Sequence, residues 1–117
     1  MKTKPILEVN FFQTSTGKEP VREWLKNMNI GNRKIIGEDI KLIQFRWPQG
    51  MPLIRKMEAN LWEVRSKLEG GNISRVFFTV KDNQMLLLHG IIKKSQKTPK
   101  KDLDLAISRK NQWLSEG

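Results

Sequence analysis

The sequence predicts a single α+β domain spanning residues 1–117, with element order β-α-α-β-β-β-β-α, an antiparallel sheet, two N-terminal helices and one C-terminal helix. Three observations predict it. Apolar residues between Pro20 and Trp47 recur at helical spacing, and from Leu53 the period changes to strict alternation. The turn sequences between the later strands are short enough to force antiparallel hairpins. A chain of 117 residues has room for one core, burying roughly two thirds of its extended surface, so a second domain is not expected.

The first strand is read from Ile6 to Phe12 and ends in the polar turn Thr14 to Lys18. Pro20 suits the first turn of a helix in which Val21, Trp24, Leu25 and Met28 share one face. Asn29 to Asn32 breaks that helix. A second helix carries the stripe Ile36, Ile40, Ile43 and Trp47 and is ended by Pro48-Gln49-Gly50. Strands follow at Leu53 to Met57, Leu61 to Lys67, Ile73 to Lys81 and Gln84 to Lys93, with turns at Glu69-Gly70-Gly71-Asn72 and Asp82-Asn83. Thr98 reads as the N-cap and Pro99 as the first residue of a last helix, with Leu103, Ala106, Ile107, Lys110 and Leu114 inward.

Charge is the unusual feature of the composition. Twenty-two Lys and Arg against twelve Asp and Glu give a net charge of +10, which favours polyanions: nucleic acid, an acidic protein or an anionic membrane. No apolar run approaches the roughly 18 residues that cross a bilayer, and Met1 to Val9 has no signal-peptide character, so a cytoplasmic protein without membrane partners is expected. With no cysteine, no tyrosine and His89 as the single histidine, thiol chemistry, a multi-histidine metal site and a phenolic acid or base are excluded. No metal or other cofactor is expected.

Counting residues across the diglycine turn pairs Trp62 with Phe78 and Val64 with Val76 on the core face, which sets Arg65 directly across from Arg75 on the other. Like charges so placed are destabilising unless an anionic ligand or an internal carboxylate offsets them, and Glu63 is the candidate carboxylate; Glu116 is a second. A regular hairpin through Asp82-Asn83 adds Leu86, Leu88, Gly90, Ile92 and Lys94 to the Arg75 face, and His89 and Lys93 to the other. A one-residue shift exchanges Lys94 for Lys93. In that register Gly90 leaves open space above the sheet for a nucleotide. Lys100 and Lys101 stand in the first turn of the last helix, where the macrodipole disfavours cations by about 0.3–1 kcal/mol each, so that helix start and Lys97 together suggest a phosphate site. His89, within an apolar strand, is read as a structural histidine.

Three blocks together resemble the phage-derived branch of the RelE/HigB-type toxins: Gly17-Lys18-Glu19-Pro20-Val21-Arg22-Glu23-Trp24-Leu25, Leu61-Trp62-Glu63-Val64-Arg65, and Leu87-Leu88-His89-Gly90-Ile91-Ile92-Lys93-Lys94-Ser95-Gln96-Lys97-Thr98-Pro99. The last is the most specific, a long ordered string between the final strand and the final helix. Arg75, before an aromatic-rich run, looks like the family's strand arginine, and Arg65 like the basic residue of the preceding strand. The resemblance implies a RelE-like fold and the toxin of a type II toxin–antitoxin pair, an endoribonuclease that enters the ribosomal A site beside the 16S rRNA, cleaves mRNA without metal, and is silenced by a helix-turn-helix, HigA-like antitoxin. Within it, Arg65 and Arg75 are expected to stabilise the phosphorane, and Lys94 or Lys97, with a pKa lowered by neighbouring cations, to shuttle a proton. Lys67, Lys93, Lys100 and Lys101 are expected to bind RNA. The assignment requires the two guanidiniums to converge on accessible surface. Several RelE-type enzymes place a tyrosine near the C-terminal end; this chain has none, which leaves Trp113 or Phe77 for base stacking. A gyrase-poisoning toxin of the ParE kind and a non-catalytic RNA-binding module are the alternative readings.

Overall fold

The structure, a computed structural model, describes residues 4–48, 53–94 and 97–116. Gln49 and Gly50 of the expected helix terminator, and Ser95 and Gln96 of the basic motif, lie outside the described residues. The element order is the expected one: β1 (Glu8–Phe11), α1 (Pro20–Lys26), α2 (Ile30–Arg46), β2 (Ile54–Glu58), β3 (Leu61–Lys67), β4 (Ile73–Lys81), β5 (Gln84–Lys93) and α3 (Lys100–Ser115), with one short 3-10 turn at Glu69–Gly71. The protein is α+β, as its sequence predicts, and its architecture is consistent with a RelE-like fold. None of the described helices is long and apolar enough to cross a membrane.

The break expected at Asn29 to Asn32 falls earlier, at Asn27 to Asn29: α1 ends at Lys26, so Met28 lies outside it. The Asn29 side chain accepts a hydrogen bond from the Asn32 backbone N–H at 2.8 Å, so α2 starts at Ile30. The start of α3 also differs from expectation: Pro99 is the N-cap and Lys100 the first helical residue, because the Thr98 hydroxyl is engaged elsewhere.

The five strands form one sheet in the order β1-β5-β4-β3-β2. Four of them make the predicted antiparallel meander, while β1 inserts parallel to β5 along Glu8↔Gln84 to Phe11↔Leu87. Asp82 and Asn83 both have positive φ, 51° and 63°, the conformation of a tight type I′ hairpin turn. α1 and α2 cover one face, where Val21, Ile36, Ile40 and Ile43 pack on Val64, Val76, Phe78, Met85 and Leu87. α3 belongs to the other, where Ala106 joins Phe12, Leu61, Phe77, Leu86, Leu88 and Ile91.

The β3–β4 register is the predicted one, including Arg65↔Arg75. The β4–β5 register is not regular. Phe77 pairs with His89 and Phe78 with Leu87, which leaves Leu88 as the extra residue of a β-bulge. Its carbonyl accepts a hydrogen bond from the Arg109 guanidinium of α3 at 2.8 Å. Beyond the bulge every side chain changes face. Leu86 and Leu88 do share the α3 face with Arg75, but His89 and Ile91 join them there, and Gly90 and Ile92 alternate to the opposite face, where Gly90 lies under Trp24 of α1. Lys93, paired with Ile73, replaces Lys94 in the alternation. The open space expected over Gly90 does not exist either: a Cβ there would lie 2.5 Å from the Trp24 ring.

Candidate functional site

Three rows of residues cross the α3 face toward one end of the sheet. The register gives them as Arg55–Glu63–Phe77–His89, then Arg65–Arg75–Ile91, then Lys67–Ile73–Lys93. Strand alternation therefore gathers four basic residues around Arg75, and the bulge at Leu88 supplies the last of them.

Glu63 stands at the centre of this set and is fully buried. Its Oε1 accepts a hydrogen bond from Arg65 Nε at 2.6 Å and faces Arg75 Nε at 3.7 Å, and its Oε2 accepts the Thr98 hydroxyl at 2.9 Å. An isolated carboxylate here would carry a desolvation penalty of several kcal/mol, which two guanidiniums and a hydroxyl offset. The two arginines thus converge on Glu63, the internal carboxylate that the sequence offers as the alternative to an anionic ligand. Their surfaces differ. The Arg65 side chain keeps 24% of its area exposed, whereas Arg75 has none. The requirement that both guanidiniums reach accessible surface is met by Arg65 alone.

One buried carboxylate faces more than one positive charge. Burial pulls the Arg75 guanidinium below its ordinary pKa, Glu63 raises it again, and Arg65 and Arg55 both lower it. An arginine remains cationic near neutrality under such shifts. Positive charge therefore exceeds negative charge in this neighbourhood, which favours an anion at its exposed edge.

Lys67, Lys93, Lys94, Lys97, Lys100 and Lys101 are all exposed. Lys67 and Lys93 flank Ile73 in the outermost row, Lys94 follows the end of β5, and Lys100 and Lys101 open α3. Through Thr98, the segment carrying Lys97 is fastened to Glu63. Lys97 and Thr98 also line an open groove of about 400 Å³ with Arg55, Met57 and Leu103. Arg55 escapes a reading of the sequence, because a cation on an edge strand ordinarily serves only to blunt that edge. The signal lies in its pairing: Arg55 is directly opposite Glu63 across the β2–β3 hairpin.

The expected stacking residues are elsewhere. Phe77 is fully buried and stacks on His89, with centroids 6.0 Å apart. Trp113 lines a hollow with Lys81, Asp82, Gln84 and Glu116, at the far end of β4 and about 20 Å along the strand from Arg75 by ordinary strand rise. Glu116 is accordingly not the partner of the arginines. His89 is structural in its contacts: Nε2 lies 2.8 Å from Asp102 Oδ1, tying β5 to the first turn of α3.

The fold and this cluster define a small α+β protein that displays cations at one end of a sheet, braced from below by a buried carboxylate. The chain belongs to the family of phage-derived, Gp49-like proteins (DUF891), whose profile matches residues 23–111 and so takes in β2 to β5 and most of α3. No curated protein matches it.

Proposed function

We propose that this protein is the toxin of a type II toxin–antitoxin pair, of the HigB kind, and that it cleaves mRNA in the ribosomal A site of the cytoplasm. One observation carries the reading: a partly exposed Arg65 guanidinium hydrogen-bonded to buried Glu63, with Arg75 on the neighbouring strand, Lys67 and Lys93 in the next row of the sheet and Lys97 beside Thr98. The family supports it, since Gp49-like proteins are associated with RelE-like toxins. The ribose 2′-oxygen attacks the adjacent phosphorus, the bond to the 5′-oxygen breaks, and the products are a 2′,3′-cyclic phosphate and a 5′-hydroxyl. Arg65 stabilises the charge that develops on the phosphorane oxygens, because a fixed cation needs no reorganisation at that moment. Arg75 contributes its field and holds Glu63, without touching the substrate. Lys97, with Lys94 as the other candidate, moves the proton, and Lys67, Lys93, Lys100 and Lys101 hold the strand. The silencing partner is a helix-turn-helix antitoxin with an acidic surface.

Adding the protein to translating ribosomes is expected to give primer-extension stops within codons. Arg65→Ala, shown to be folded, is expected to slow cleavage by about 10²–10³-fold, the usual effect of losing one fixed transition-state donor. DNA breaks without mRNA cleavage would make the protein a gyrase poison instead. Binding without a cyclic phosphate product would make it a non-catalytic RNA-binding module.

A further inference from the structure

The groove beside the cluster has a composition that the lysines around it lack. Its five lining residues are two cations, Arg55 and Lys97, one hydroxyl-bearing residue, Thr98, and two apolar side chains, Met57 and Leu103. At about 400 Å³ it falls at the small end of ligand cavities, which suits one nucleotide rather than a folded element of a partner. Both sides of it are joined to Glu63, one through a side chain and the other through the backbone ladder. Thr98 is hydrogen-bonded to Glu63, and Arg55 stands opposite that same carboxylate in the β2–β3 ladder. Among the described residues no carboxylate lies within ion-pair distance of Arg55, which is exposed, and its charge is one of those that lower the Arg75 pKa. An exposed cation that lines a half-apolar groove suits a phosphate with a base beside it.

We infer that the groove lined by Arg55, Met57, Lys97, Thr98 and Leu103 is a nucleotide subsite, which takes the residue of a single-stranded RNA that neighbours the linkage held at Arg65. Arg55 pairs with that nucleotide's phosphate, and Met57 and Leu103 pack against its base. Arg55 is thereby a binding residue for RNA and stands apart from the step assigned to Arg65. The inference rests on the RNA reading above and deepens it.

The test is binding of a single-stranded oligoribonucleotide made non-cleavable by 2′-O-methylation, measured across a salt series for the wild type, Arg55→Ala, and Lys41→Ala on the opposite face as a control for loss of one charge. Arg55→Ala is expected to weaken binding about tenfold beyond the control and to flatten the salt slope by about 0.7, one phosphate contact on a single strand. The methyl resonances of Met57 and Leu103 are expected to shift when the RNA is added. The inference is overturned if Arg55→Ala matches the control in affinity and slope, or if the shifts fall elsewhere. It is also overturned if Arg55→Ala loses binding to an acidic polyglutamate peptide and none to RNA, since the groove would then be a protein contact. Cleavage is scored separately. Wild-type protein that binds through Arg55 but cuts nothing sinks the nuclease reading alone, and protein that cuts while Arg55→Ala binds normally sinks the subsite alone.

Discussion

A carboxylate without exposed surface is stable only while its partners stay. Glu63 has two guanidiniums and one hydroxyl, and it holds both arginines at once. Glu63→Ala is expected to take this carboxylate from two cations, one of them fully buried, and to destabilise the fold by about 3–5 kcal/mol in urea titration. Glu63→Gln keeps the shape and is expected to lose less. Thr98→Val removes one hydrogen bond to a charged group, expected to be worth about 1.5–3 kcal/mol, and it releases the lysine-bearing segment from the sheet while the arginines stay with Glu63. RNA cleavage falling in Thr98→Val with the arginine contacts intact would tie activity to the position of Lys97.

At the scale of elements, the sheet divides into a part that counting resolves and a part that it does not. Arg65↔Arg75 is legible because the diglycine turn fixes the register and alternation then fixes the face. The far half of β5 is not legible, because a bulge carries no composition signal in Leu87-Leu88-His89, and a single extra residue moves Lys93, His89 and Gly90 to faces opposite those expected. Thr98 misleads for a related reason: a hydroxyl next to a proline fits an N-cap locally, and only the fold brings Glu63 within its reach. Gly90 tests the corrected register. With Trp24 where its Cβ would stand, Gly90→Ala is expected to lower stability by about 1–3 kcal/mol, read from thermal melts, and a smaller residue at Trp24 is expected to restore part of the loss. A neutral Gly90→Ala would mean that this residue faces open space after all.

For the whole molecule the dominant quantity is a net charge of +10 spread over 117 residues. Self-repulsion of that size opposes compaction, and salt screens it over about 8–10 Å at ordinary ionic strength. The urea midpoint is therefore expected to rise between low and moderate salt in the absence of any ligand. Over the same range affinity for RNA is expected to fall, as bound counterions are no longer released to advantage. Opposite slopes for stability and for binding would locate the charge effect in the surface rather than in the core. A midpoint that falls with salt would mean instead that attraction within ion pairs outweighs the net repulsion.

The parallel pairing of β1 with β5 brings together strands separated by most of the chain. During vectorial synthesis β1 emerges well before β5, and its slot beside β5 does not exist until the intervening helices and strands have been made. Its edge stays open through elongation. Closing so long a loop is slow relative to forming the neighbouring hairpins, so maturation of the sheet is expected to wait on this last docking event rather than on the meander.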